Sequence, residues 1–193
     1  MTRPKEYRRE EVLDLATNLF WLKGYEGTSM NEMVEQTGLN KHSMYNEFSD
    51  KEGLFLDCLE HYANESTKQL WNILTQKPLG LSNIEAFFNN RIEYATSRKF
   101  KGCLLLNSAV EKEILSDKIN NKLQKMLTAF EGLLYDCLKA AQETKEIPKN
   151  KDCKVLASYL YCFLGGLMII GRRNANKIAL KKLTEVAVSA MKS

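Results

Sequence analysis

The chain has 193 residues, 44% of them hydrophobic and 27% charged, with 28 Lys/Arg against 24 Asp/Glu and a formal charge of +4. That is the composition of an ordinary globular chain, long enough for one large or two small domains, and it excludes a low-complexity one. Five cysteines without a C-x-x-C pair argue against a disulfide framework. The polar start, Met1 to Glu6, lacks the apolar core of a signal peptide, so a cytoplasmic protein is expected.

The periodicity predicts an all-α fold without a strand. Over residues 7–23, Val12, Leu15, Ala16, Leu19 and Phe20 follow the i, i+3, i+4, i+7, i+8 pattern of a half-buried helix that ends at Gly24. Arg3, Lys5, Arg8 and Arg9 cluster at its start. Ser29-x-x-Glu32 is a capping box, Met30, Met33 and Val34 share one face, and Thr37-Gly38 ends the helix. Asn40 is a good N-cap for a second short helix, in which Met44 and Phe48 face the core. Lys41, His42, Ser43, Tyr45, Asn46 and Glu47 then point outward. A short helix whose outward face carries hydrogen-bonding groups suits a major groove.

Net charge does not favour this region. Residues 1–75 hold eight Lys/Arg against thirteen Asp/Glu, and residues 76–193 hold twenty against eleven. Phosphate contact there depends on a few placed cations, with Glu10, Glu11, Asp14, Glu32 and Glu35 expected on other faces.

Ser49-x-x-Glu52 reads as a second capping box that opens a long helix over 51–76, with Leu54, Phe55, Cys58, Leu59, Tyr62, Leu70 and Ile73 inward. Pro78-Leu79-Gly80 breaks the pattern. Helices follow over about 83–98, with Phe87 and Phe88 inward, over 103–114, from 117 to near Pro148, over 151–174 and over 176–191. The run Val155 to Gly171 is apolar almost all round but shorter than the roughly 20 residues of a membrane span. It reads as a helix buried by its own domain on one side and by a second copy on the other. With Ile178, Leu180, Leu183, Val186, Ala187 and Ala190 of the last helix it predicts a homodimer through a four-helix bundle, and no membrane partner.

Cys58 and His61 have metal-ligand spacing, but two such residues alone read as a core cysteine beside a surface histidine. No metal and no cofactor are expected. The chain shows no Ser/His/Asp set and no phosphate loop, and it has only two histidines, so an enzyme is not expected.

Four marks occur together: Phe20-x-x-x-Gly24-Tyr25, Gly27-Thr28-Ser29, Thr37-Gly38-Leu39, and Ser43-Met44-Tyr45-Asn46-x-Phe48-x-x-Lys51-Glu52-x-Leu54. In combination they resemble the N-terminal domain of the TetR family of bacterial transcriptional regulators. The resemblance implies a helix-turn-helix DNA-binding domain over 1–50 and an effector-binding and dimerisation domain over 51–193, with helix 51–76 connecting the two. It implies double-stranded operator DNA as partner. Thr28 and Ser29 match the start of the second helix, where an anion is favoured. Asn40, Lys41, His42 and Ser43 match the start of the recognition helix. Tyr45 and Asn46 match positions that hold backbone or base edge, and Lys51 matches the lysine at the start of the fourth helix that pairs with a phosphate. His42 and Glu47 depart from the common pattern, and a carboxylate at 47 would repel phosphate or accept from cytosine N4.

The resemblance further implies a repressor released from its operator by a small-molecule effector. A pocket guessed from helix faces contains Trp71, Phe88, Cys103, Phe130 and Tyr159. An alternative is a repressor switched by modification of Cys103. A similar Gly-Cys-Leu segment opens the sixth helix in one branch of the family, and some members of it sense electrophiles or oxidants through that cysteine. Lys99 and Lys101 would favour a thiolate there. A nucleoid-type binder without specificity is a third class, against which the outward groups of residues 41–46 and the second domain argue.

Overall fold

The computed structural model describes residues 7–65, 67–173 and 176–192. Arg3 and Lys5 of the basic cluster, and Asn174 at the end of the expected 151–174 helix, lie outside them. The described residues form ten α-helices and no strand: α1 (Arg9–Lys23), α2 (Met30–Thr37), α3 (Lys41–Phe48), α4 (Lys51–Glu65), α5 (Lys68–Thr75), α6 (Leu81–Ala95), α7 (Leu104–Ala109), α8 (Asp117–Glu143), α9 (Cys153–Gly171) and α10 (Lys177–Lys192). A short 3-10 turn, Lys112–Ile114, follows α7. The helices group into two compact units, residues 1–67 with 103–124 and residues 68–102 with 125–193.

In the first unit α1 packs on α2, α4 and α7, and α3 packs on α2 and α4. Val12, Leu13, Ala16, Phe20, Met33, Met44, Phe48, Phe55 and Leu59 form its core. Burying each of these side chains larger than alanine contributes roughly 1.5–3 kcal/mol. Leu15, expected inward, is 45% exposed. At 100° per residue the buried arc of α1 runs from Leu19 through Val12, Ala16 and Leu13 to Thr17, and Leu15 falls beyond its edge. Phe20, Tyr25 and Phe55 make an aromatic nest, with Phe20 edge-on to Phe55 at 4.7 Å and Tyr25 at 5.0 Å from Phe55.

Two expectations for the stretch after α3 are corrected. The cap of α4 is Asp50, whose Oδ1 accepts from Gly53 N at 2.7 Å. Ser49 instead closes α3 at φ +67°, its N–H donating to Tyr45 O. The expected helix 51–76 is two helices, α4 and α5. Thr67 turns back on the last turn of α4, its N–H donating to Tyr62 O and its hydroxyl to Ala63 O, which stops the ladder there.

In the second unit α6 packs on α5, α9 and α10, and α9 packs on α10. Asn83 braces the start of α6. It accepts from Gly80 N and donates to Ile73 O and Gln76 O. From α9, Ala157, Leu160, Leu164, Leu167 and Met168 are buried. From α10, Leu180, Thr184, Ala187, Val188 and Met191 are buried. Their other faces are open. On α9, Val155, Tyr159, Cys162, Gly166 and Ile169 are half-exposed or more, alternating four and three residues apart. On α10, Ala179, Leu183, Val186 and Ala190 do the same. This is the spacing of a coiled-coil seam. By length and composition alone, α9, with mean hydropathy 1.8, is long and apolar enough to cross a membrane.

Candidate nucleic-acid interface

The short helices α2 and α3 are built by their caps. Ser29 Oγ accepts from Glu32 N at 3.2 Å, and Gly38 at φ +68° closes α2 with its N–H on Val34 O. The reciprocal arm of that capping box is not made, because the Glu32 carboxylate pairs with Lys23. Asn40 Oδ1 accepts from Ser43 N at 2.9 Å and starts α3. Met44 and Phe48 are buried. That orientation turns Lys41, His42, Tyr45 and Asn46 to solvent, Tyr45 at 39% exposure. Asn46 Nδ2 lies 2.9 Å from His42 Nε2, so the two side chains form one polar ledge. Ser29 and Asn40 are exposed and Ser43 is half-buried.

Three other residues sit differently from a free contact surface. Thr28 is 2% exposed, and its hydroxyl donates to Gly24 O at 2.8 Å. Glu47 is not an outward carboxylate. It accepts from Tyr7 OH at 2.8 Å and from Arg9 Nε at 3.0 Å, which neutralises much of the repulsion expected of it toward phosphate. Arg9 also donates to Asp57 at 2.6 Å and lies over the Phe48 ring. It ties α1 to both α3 and α4 and is not part of a loose phosphate-binding cluster. Burial, reinforced by Glu47, raises the pKa of the Tyr7 hydroxyl.

Lys51, at the start of α4, holds its ammonium 4.4 Å from the centre of the Tyr25 ring. Burial, and next the Glu52 carboxylate, raises the pKa of Tyr25. The acidic residues of the unit are partly spent on neighbours: Glu10 and Glu11 on Arg8, Asp14 on His61 at 2.6 Å. Cys58 is fully buried, and burial pushes its thiol up to about 12, while His61 is turned to Asp14.

Of the residues named for an effector pocket, Trp71, Phe88, Phe130 and Tyr159 lie in the second unit and Cys103 in the first. Phe88 is buried at 5.1 Å from Phe87 and 5.1 Å from Phe163, and Phe130 lies 5.3 Å from Phe87. Trp71 on α5 is half-buried and Tyr159 is exposed on the α9 seam. Cys103 belongs to the first unit, where its Sγ accepts from Tyr62 OH at 3.7 Å and Tyr62 stands edge-on to Trp21. Phe163 was missed because an almost uniformly apolar helix gives no face to choose. The partners of Arg9, and the role of Glu111, whose carboxylate accepts from Tyr25 N, have no periodic signal because they are distant in sequence.

Comparison with known proteins points the same way as the geometry. Residues 12–58 match the family model of bacterial regulatory proteins, tetR family, and residues 80–186 match that of the tetracyclin repressor-like C-terminal domain. The HTH-type transcriptional repressor ComR of Escherichia coli (strain K12) is 32% identical over 98% of this chain and 90% of its own. A cysteine mutant of the TetR family regulator CifR, complexed with 26-bp double-strand operator DNA, superposes with a TM-score of 0.86. It is 24% identical and covers 97% of this chain and 99% of its own. Reduced E. coli NemR superposes at 0.80, 20% identical over 95% of this chain and 94% of its own.

Proposed function

The chain belongs to the TetR family of bacterial transcriptional regulators and is a DNA-binding regulator. From that premise we propose that it is a homodimeric repressor in the cytosol that reads a roughly palindromic operator and lets go when a small molecule occupies its C-terminal domain. Residues 1–50 are the reading domain and 51–193 the effector and dimerisation domain. The observation that carries the reading is α3, whose capped start and buried Met44 and Phe48 leave Lys41, His42, Tyr45 and Asn46 as one exposed polar face. In a dimer, two such helices enter successive major grooves. Ser29, Asn40, Ser43 and Lys51 add backbone contacts, and Thr28 sets the start of α2 from inside.

The open seams of α9 and α10 support the dimer, because an exposed apolar stripe of that length marks an interaction surface. They also account for the high hydropathy of α9 without a membrane. An apolar or amphipathic effector suits the cluster of Phe87, Phe88, Phe130 and Phe163, whose members Phe130 and Phe163 are half-exposed.

The test is a mobility shift on the chain's own upstream DNA, competed by random DNA at moderate salt. Specific retention by wild type, lost by more than tenfold in Tyr45→Ala with Lys41→Ala, is expected. Equal competition by random DNA rejects a specific repressor.

The contact of Cys103 with Tyr62, and of Tyr62 with Trp21, favours one second reading, in which modification of that thiol disturbs α1 and α4. Operator binding of wild type and Cys103→Ser after exposure to a quinone tests it. Release of wild type alone is expected, and equal loss in both contradicts it.

A further inference from the structure

The loop after α7 reaches the turn that leads into the helix-turn-helix. Glu111 Oε2 accepts from Tyr25 N at 2.9 Å and from Glu26 N at 3.3 Å. The fit is close: a Cβ on Gly24, which has φ +77°, would stand 2.6 Å from Glu111 Oε1. The carboxylate therefore occupies space that only glycine at 24 leaves open. It also supplies acceptors to two N–H groups that no helix serves.

The Tyr25 ring, fixed by this backbone, stacks on Phe20 at 6.1 Å and tilts on Phe55 at 5.0 Å. The Lys51 ammonium also lies against it, 4.4 Å from the ring centre. Resting there, the lysine is restricted before it meets an anion. Elsewhere in the same segment Lys118 and Lys122 pair with Glu52 and Glu60 of α4, whereas Glu111 acts on the α1–α2 turn.

We propose that Glu111 is a positioning residue for DNA binding, a carboxylate pin that holds Tyr25 so that its ring seats Lys51 for a phosphate. The inference rests on the operator reading and deepens it, since it places one determinant of affinity outside the helix-turn-helix, on the segment between α6 and α8. The pin works through accepted hydrogen bonds, so an amide oxygen can replace the carboxylate oxygen while a methyl group cannot.

Operator affinity of wild type, Glu111→Ala, Glu111→Gln, Lys51→Ala and the double variant Lys51→Ala with Glu111→Ala tests it, beside amide exchange at Tyr25 and Glu26. Glu111→Ala is expected to weaken operator binding about five- to tenfold and Glu111→Gln by less than about twofold. In the Lys51→Ala background the Glu111→Ala loss is expected to shrink below about twofold, as for residues acting in one chain of contacts. Exchange at both amides speeds up in Glu111→Ala, while amides in the middle of α1 stay protected and the fold is intact. Wild-type affinity in Glu111→Ala, or losses that multiply independently, overturns the proposal. A silent Lys51→Ala also overturns it, because nothing is then positioned. If wild type shows no specific DNA binding, the operator reading fails by itself. The pin is then decided by exchange: faster exchange at Tyr25 and Glu26 in Glu111→Ala supports it, and unchanged exchange rejects it.

Discussion

Arg9 and Glu47 show how a charge can be prominent in sequence and quiet in the fold. Each is the other's partner, and together with Tyr7, Asp57 and Phe48 they fasten α3 to α1 and α4. The cations left for phosphate are fewer than the sequence suggests, and Lys41 and Lys51 stand out among the described residues near α3. The cysteines separate in the same way. Burial pushes Cys58 up to about 12 and Cys137 up to about 11, against an ordinary thiol near 9. Their folded-state pKa values are raised, so the native state holds those protons more tightly than the unfolded chain. The stability they contribute is complete below about pH 9 and is lost as pH rises toward 11–12. Urea unfolding from pH 8 to 10.5 is expected to show a falling midpoint in wild type and a shallower fall in Cys58→Ala. Identical slopes count against that burial effect. The same protection keeps Cys58 and Cys137 unmodified at pH 8 during the quinone treatment, so any release is assigned to a more accessible thiol.

The helices were legible in proportion to how one-sided they are. α3 has two buried positions and a polar remainder, so Met44 and Phe48 as its inward residues follow from spacing and Asn40 as its cap from chemistry, whereas the pairing that draws Glu47 onto α1 does not. α9 is apolar on both sides, so its composition predicts two buried faces without saying which residues belong to which. Only the packed structure separates Leu160, Leu164 and Leu167 from Tyr159, Cys162 and Ile169. The pattern over 51–76 misled because the side-chain period carries through Thr67 while the backbone ladder does not. A charge placed in each open seam tests their role. Ile169→Asp with Leu183→Asp is expected to sediment as a folded monomer where wild type sediments as a dimer, since an unpaired buried charge costs several kcal/mol. A dimer that survives both substitutions would move the interface elsewhere.

For the molecule as a whole, the resemblance implies a reading domain over 1–50 and an effector domain over 51–193, but the compact units divide the chain differently. Residues 103–124, which follow α6, belong to the first unit, where α7 packs on α1 and α4. No local pattern in a short apolar helix announces such a partner, and Glu111 is the clearest case. The segment gives the DNA-reading helices a support from the part of the sequence assigned to the effector domain. A pocket is the hardest part to read, since the apolar lining of a cavity and an ordinary core share one sequence signal.

Hydroxyl-radical footprinting of the protein on its own upstream DNA measures most directly whether two copies of α3 read one operator. The expected result is two protected half-sites about 34 Å apart, or a multiple of one helical turn, lost together in the seam variant Ile169→Asp with Leu183→Asp and in Tyr45→Ala with Lys41→Ala. Continuous protection without half-sites, or an unchanged footprint in either variant, would contradict it.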